Sequence, residues 1–134
     1  MSLLGGRALP VIRLSTPHDF YDFDAKYLAN DTEYTIPSGL SAEEETAMQA
    51  MALKAFEQIG GAGWGRVDFM RDEQGQNWLI EVNTVPGMTD HSLVPMAARA
   101  VGIGIEELCL GILAQTLPAG SKSTEDVADD RERD

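Results

Sequence analysis

Cysteine is nearly missing from this chain of 134 residues: there is one, Cys109. A single thiol makes no internal disulfide, so no oxidised framework staples the fold, and a reducing cytoplasm is the expected compartment. Positive charge is also scarce. Lys and Arg number 10 against 22 Asp and Glu, for a formal net charge of -12. Nucleic-acid backbones and anionic membrane surfaces both select Lys and Arg, so neither is an expected partner. A phosphate ligand stays open, because local fields decide that contact. No apolar run is long enough to span a bilayer. The first residues lack the basic start and apolar stretch of a secretory signal.

Apolar residues thin out at the C-terminal end as well. Residues 118–134, PAGSKSTEDVADDRERD, carry much charge and almost nothing to bury. Such a segment cannot offset its own ordering entropy, and a disordered acidic tail is expected there. At the other end Met1-Ser2-Leu3 reads as an expression leader and is set aside. Residues 4–117 then form one modest domain that starts abruptly at a strand.

What is present is organised around WGRVDFMRDEQGQNWLIEVNTVPGMTDHS, from Trp64 to Ser92. It reads as a strand over Gly63 to Glu73, a turn at Gln74-Gly75, a second strand over Gln76 to Asn83, and a glycine-bearing loop that opens a helix. Residues two apart on a strand share a face. Arg66 and Asp68 therefore point one way, and so do Glu81 and Asn83. A two-residue loop at Gln74-Gly75 pairs Glu73 with Gln76, Asp68 with Glu81 and Arg66 with Asn83. A slip of two residues keeps the same faces together, whereas a slip of one turns one strand over. In the favoured register two facing carboxylates repel, and something positive belongs between them. Oxygen donors of this kind, with the neutral oxygen of Asn83, suit Mg²⁺ or Mn²⁺. The plainer alternative is a solvated sheet face on which Arg66 neutralises the acids. Val67, Phe69, Leu79, Ile80 and Val82 anchor the hairpin to a core and so hold the polar face rigid.

The remaining elements frame this hairpin. Ala8 to Leu14 is β-branched and apolar enough for a strand inside a sheet. Thr16 to Asp24 is turn-rich. Ser41 to Ile59 is a helix with a Ser41/Glu44 capping box and Met48, Met51, Ala52, Ala55, Phe56 and Ile59 on one face, ended by Gly60-Gly61. Ser92 is placed to cap a helix over Leu93 to Val101, with Pro95 in its first turn. The last helix, Ile105 to Leu117, stacks Ile105, Leu108, Cys109, Ile112 and Leu113 on one side, which makes Cys109 a core thiol. The expected fold class is α+β: a mainly antiparallel sheet, including Ala8 to Leu14 and the hairpin, with the Ser41 and C-terminal helices packed on it. An exposed edge strand would favour a homodimer.

The strings GRALPVIR, FYDFDAKY, NDTEY, GWGRVDFM, EVNTVPGMTDHSLVP and MAARAVG extend over about Gly6 to Leu117. They resemble the D-alanine-D-alanine ligases of the ATP-grasp superfamily, and EVNTVPGMTDHSLVP is highly specific to them. The resemblance implies the C-terminal part of such a ligase. The amino-terminal domain, and the central-domain lysines and hinge acids that grip ATP, would lie upstream, and the piece alone would not turn over. It implies ATP as co-substrate and two Mg²⁺ or Mn²⁺ ions held by Asp68, Glu81 and Asn83, with Glu81 on the nucleotide side. It places Lys26 on a loop that closes over the nucleotide phosphates, with Asn30 to Pro37 completing that lid. Tyr27 would shape the second substrate's pocket. Arg66 and the Gly87 amide would stabilise an oxyanion. Ser92 and the Leu93 amide would hold the carboxylate of the acceptor D-alanine. The implied reaction joins two D-alanines through a D-alanyl phosphate, for bacterial peptidoglycan and hence cell shape. Tyr27 fits D-alanine as acceptor better than D-lactate. The alternatives are a D-alanine-D-lactate ligase, another ATP-grasp ligase, or a noncatalytic remnant of the fold. Read without the resemblance, Lys26 and Tyr27 are surface residues, Ser92 is a plain helix cap and His91 is a turn histidine.

Overall fold

The computed structural model describes residues 1–15 and 32–117. Among them the chain runs β1 (Ser2–Leu4), β2 (Arg7–Ala8), β3 (Arg13–Ser15), β4 (Glu33–Thr35), α1 (Ala42–Gln58), β5 (Trp64–Arg71), β6 (Asn77–Asn83), α2 (Leu93–Ala100) and α3 (Ile105–Ala114). Four strands make one sheet in the order β2-β1-β5-β6, and β3 and β4 make a separate ribbon. Every pairing is antiparallel. The expected α+β class, a mainly antiparallel sheet with helices packed on it, is the observed one.

Strand alternation gives the main sheet two apolar faces. On one, Leu3 and Val67 meet Met48, Ala52 and Phe56 of α1. On the other, Leu4 and Trp64 meet Val94, Ala97 and Ala98 of α2 and Leu108 of α3. Leu4 is paired with Trp64 and Ser2 with Arg66. The face under α2 is therefore also the face that carries Arg66.

The start of α1 is built as its sequence requires. Ser41 Oγ accepts from Glu44 N at 3.2 Å, and Glu44 accepts from Ser41 N at 2.9 Å. The bond from Ser41 N, with the Ser41 hydroxyl and the Arg71 guanidinium beside it, holds the Glu44 carboxyl below its usual range. Loss of such a cap costs about 1 kcal/mol. Ser41→Ala is expected to lower the urea midpoint by that equivalent, and an unchanged midpoint would show the cap to be energetically idle. Met48, Ala52 and Phe56 are buried as the helical spacing predicts, whereas Met51 and Ile59 at the rim of that stripe are exposed.

Four expectations about the fold need correcting. Met1-Ser2-Leu3 is not set apart from the fold. Ser2–Leu4 is an inner strand, and the Met1 amine donates to Val67 O at 2.9 Å while Val67 N returns a bond to Met1 O at 2.8 Å. Ala8 to Leu14 is not one strand. Pro10 has no N–H for a ladder, so the chain leaves the sheet after Leu9 N bonds Ser2 O at 2.8 Å. Val11 N turns instead to Glu45 Oε1 of α1 at 2.9 Å, and Arg13–Ser15 joins the β4 ribbon. Cys109 is not in the core but exposed. The apolar arc of α3 is wider than its contact: Leu108 is sealed and Ile112 packs on it, while Leu110 and Leu113 face outward. Finally, the hairpin turns differently from the expected two-residue loop, as described next. Residues 118–134, expected as a tail, lie outside the described residues.

Candidate active site

The hairpin closes through Glu73-Gln74-Gly75. Asp72 N donates to Gln76 O and Gly75 N to Asp72 O, both at 3.0 Å. Gly75 has φ of +80°, which a residue without a Cβ adopts freely. The Asp72 carboxylate fixes the turn by accepting from Gln76 N at 2.7 Å and from Trp78 Nε1 at 2.8 Å. The pairs beside the turn are Arg71 with Asn77, Met70 with Trp78 and Phe69 with Leu79. This is one residue out of the expected register, and carried on it would turn Glu81 and Asn83 away from Arg66 and Asp68. One extra residue on β6, Ile80, bulges opposite the step from Asp68 to Phe69 and undoes the slip. Beyond it Asp68 faces Glu81, Val67 faces Val82 and Arg66 faces Asn83, as expected from the sequence.

The four polar side chains thus share one face. Arg66 is 8% exposed and grips Asp68 with two bonds of 2.7 Å, Nε to Oδ1 and Nη2 to Oδ2. Its Nη2 also lies 3.8 Å from Glu81 Oε1. The guanidinium is the positive group between the acids. Burial pushes Asp68 up, but the Arg66 bonds and charge outweigh it and hold the carboxyl below its usual range. A group lowered in this way stabilises the fold above its unfolded pKa, about 4, and the contribution disappears as pH falls through the lower folded value. In urea titrations Asp68→Asn should therefore be less stable than the parent at pH 6, and the gap should narrow as pH falls below about 4. A gap independent of pH would remove the ion pair as its cause.

Among the described residues no three His, Cys, Asp or Glu side chains cluster as metal ligands. The donor set here is smaller: two carboxylates and the amide oxygen of Asn83. That set suits Mg²⁺, which is commonly bound by one or two carboxylates and takes its other oxygens from water and phosphate. Both acids are reachable, with side chains 23% (Asp68) and 46% (Glu81) exposed.

From Asn83 the chain runs directly into the loop. Asn83 Oδ1 accepts from Val85 N at 3.1 Å, and Pro86 is buried. Gly87 lies four residues beyond Asn83, a chain span of at most about 14 Å. A Cβ on Gly87 would sit 2.9 Å from Ser92 Oγ, so these two expected site residues are in contact. Ser92 is at the N-cap position of α2, yet its side chain makes no cap bond. Its Oγ lies 2.9 Å from Thr89 N and 2.8 Å from Thr89 Oγ1 instead. The plain-cap reading of Ser92 is therefore corrected, because the hydroxyl is turned back to the loop. Leu93 is the first residue of α2, and His91 is exposed. Thr89 was not singled out in the sequence; its three-residue spacing from Ser92 was the available signal. Lys26 and Tyr27 lie outside the described residues, as does Asn30–Asp31 of the expected lid, and Glu33–Thr35 of that lid is β4.

Residues 1–114 match the family model described as D-ala D-ala ligase C-terminus. This chain belongs to that family. It is 61% identical over 119 residues to the D-alanine--D-alanine ligase of Acinetobacter baumannii, covering 87% of this chain and 39% of that protein. To the D-alanine--D-alanine ligase of Alkalilimnicola ehrlichii it is 62% identical over 113 residues, covering 84% of this chain and 36% of that protein. The chain thus spans well under half the length of these relatives. Among solved structures, the Bacillus anthracis D-alanine--D-alanine ligase complexed with ATP matches with TM-score 0.71 and 29% identity, covering 85% of this chain and 35% of that one. The VanG D-Ala:D-Ser ligase of Enterococcus faecalis gives the same TM-score, 0.71, at 25% identity, covering 87% of this chain and 35% of that one. The fold of this D-ala D-ala ligase C-terminus chain is thereby the ATP-grasp ligase fold. The match begins at residue 1, in keeping with the structural part that Met1 to Leu3 play.

Proposed function

We propose that this chain is the C-terminal part of an ATP-dependent ligase that joins two D-alanines into D-alanyl-D-alanine for the bacterial cell wall, in the cytoplasm. The observation that supports this most is the register of Arg66 with Asn83 and Asp68 with Glu81 on the sheet face that also carries α2. Asp68, Glu81 and Asn83 would hold Mg²⁺ or Mn²⁺, and Lys26 would lie over the nucleotide. Bound there, the ions would neutralise phosphate charge and align the phosphoryl transfer. The chain's own groups do the rest. Arg66 and the Gly87 amide face the oxygen on which negative charge develops when an amine attacks the activated carboxyl. Ser92 and the Leu93 amide hold the acceptor's carboxylate at the start of α2, where helix amides favour an anion. Tyr27 shapes the acceptor pocket and favours D-alanine.

The test is a chimaera. Residues 1–117 replace the matching segment of the Acinetobacter baumannii ligase, and ADP and dipeptide are measured with D-alanine, D-lactate and D-serine as acceptors. Dipeptide formation with D-alanine preferred is the expected result. A folded chimaera that forms no D-alanyl product overturns the reading, and preferred ester or D-serine product overturns the acceptor assignment.

A further inference from the structure

We propose that Thr89 is a positioning residue that makes Ser92 a one-way hydrogen-bond donor toward the anionic end of the acceptor. This rests on the ligase reading above and adds to it the group that sets acceptor selectivity for a carboxylate.

A serine hydroxyl has one hydrogen to give and two lone pairs to receive. The Thr89 backbone N–H points at Ser92 Oγ from 2.9 Å, so it donates and occupies the first lone pair. The Thr89 hydroxyl lies 2.8 Å from the same oxygen, and either oxygen can be the donor in that contact. When Thr89 donates, both lone pairs of Ser92 are used and its hydrogen is the one thing left to offer. When Ser92 donates to Thr89, it has no hydrogen for a ligand. A carboxylate has acceptor sites only, so its arrival selects the first arrangement.

Two further features make this arrangement specific. Ser92 does not cap its own helix, so its side chain does not compete with an anion for the first amides of α2. The hydroxyl can occupy this spot only because residue 87 is glycine; a Cβ there would stand 2.9 Å from it. Gly87, Thr89 and Ser92 thus form one cradle, in which Thr89 acts through Ser92.

The test uses the chimaera with two acceptors: D-alanine, which carries a carboxylate, and D-alaninamide, which does not. Thr89→Val keeps the side-chain shape and deletes the hydroxyl. The acceptor-side KM for D-alanine should rise about fivefold, the scale of the neutral hydrogen bond that fixes the direction of the Ser92 hydrogen. Turnover with D-alaninamide should change by less than about twofold, and Thr89→Ser should restore the parent KM. Equal losses on both acceptors would reduce Thr89 to a structural loop residue and sink the proposal, as would no change on either. A parent chimaera that makes dipeptide while Thr89→Val is silent overturns this inference alone. A parent chimaera that makes none removes the ligase reading and this inference with it.

Discussion

Glu81→Gln in the chimaera is expected to cut dipeptide formation by at least about a hundredfold while leaving the fold nearly unchanged. The side chain is 46% exposed on the edge strand β6. Its Oε1 lies 3.8 Å from Arg66 Nη2, and partly exposed pairs of that kind contribute little to stability. The substitution keeps size and hydrogen bonding but removes the charge. Of the two carboxylates on this face, Asp68 is held by Arg66 through two bonds of 2.7 Å, and Glu81 is the more exposed. A metal ion would therefore depend on it heavily. The decisive reading is the Mg²⁺ dependence: the variant should need far more Mg²⁺ for half-maximal rate, with an unaltered urea midpoint. Near-normal turnover at saturating Mg²⁺ would show that Glu81 is no ligand. The face would then be what Arg66 makes it without ligands, a neutralised pair of acids.

The polar face was legible in the sequence because period-two alternation and one turn suffice to place four side chains. The path to it was not. The turn takes three residues and not the two that Gln74-Gly75 suggests, and the shift would be fatal to the face but for the bulge at Ile80. Nothing in WLIEVN marks Ile80 as the unpaired residue; only the requirement that Val82 reach the core and Glu81 the opposite face selects it. The capping box of α1 was legible because it is a local exchange of two hydrogen bonds. Cys109 shares the helical stripe without sharing the core, because a stripe gives direction and not depth: α3 buries Leu108 and leaves the neighbouring thiol outside. Pro10 was a visible breaker within Ala8 to Leu14, and its missing N–H outweighed the β-branched residues that follow it. Met1 to Leu3 look like a leader by position in the chain, although two of the three are apolar and buried. Ser92 shows the limit most clearly. Its cap position was readable, but the preference of its hydroxyl for Thr89 depends on how the loop folds back over Gly87.

Gly65→Ala is expected to cost about 2–3 kcal/mol, a large part of the total for a domain of this size. Glycine within a strand is ordinarily a weakness, since it packs nothing and loses the most entropy. Here the missing side chain is what lets α1 settle on the sheet. A Cβ at this position would meet Phe56 Cε2 at 2.5 Å, Phe56 Cζ at 2.9 Å and the Asn83 carbonyl at 3.1 Å. Phe56 is wedged in the core with Met48, Ala52 and Val67 and has no free side to turn to. The clash must therefore lift α1 or displace β6, and β6 carries Glu81 and Asn83. Stability and chemistry should fall together: a lower urea midpoint in the isolated chain, and a weaker Mg²⁺ response in the chimaera through a shifted Asn83. Shrinking the opposing ring tests the cause. Phe56→Leu alone leaves a void and destabilises, but added to Gly65→Ala it relieves the overlap. The double variant should then be more stable than the sum of the single losses predicts. Strict additivity would mean that glycine at 65 serves the strand's own backbone and not the approach of α1, and a Gly65→Ala chain with the parent's midpoint would show that the sheet and α1 have room to spare.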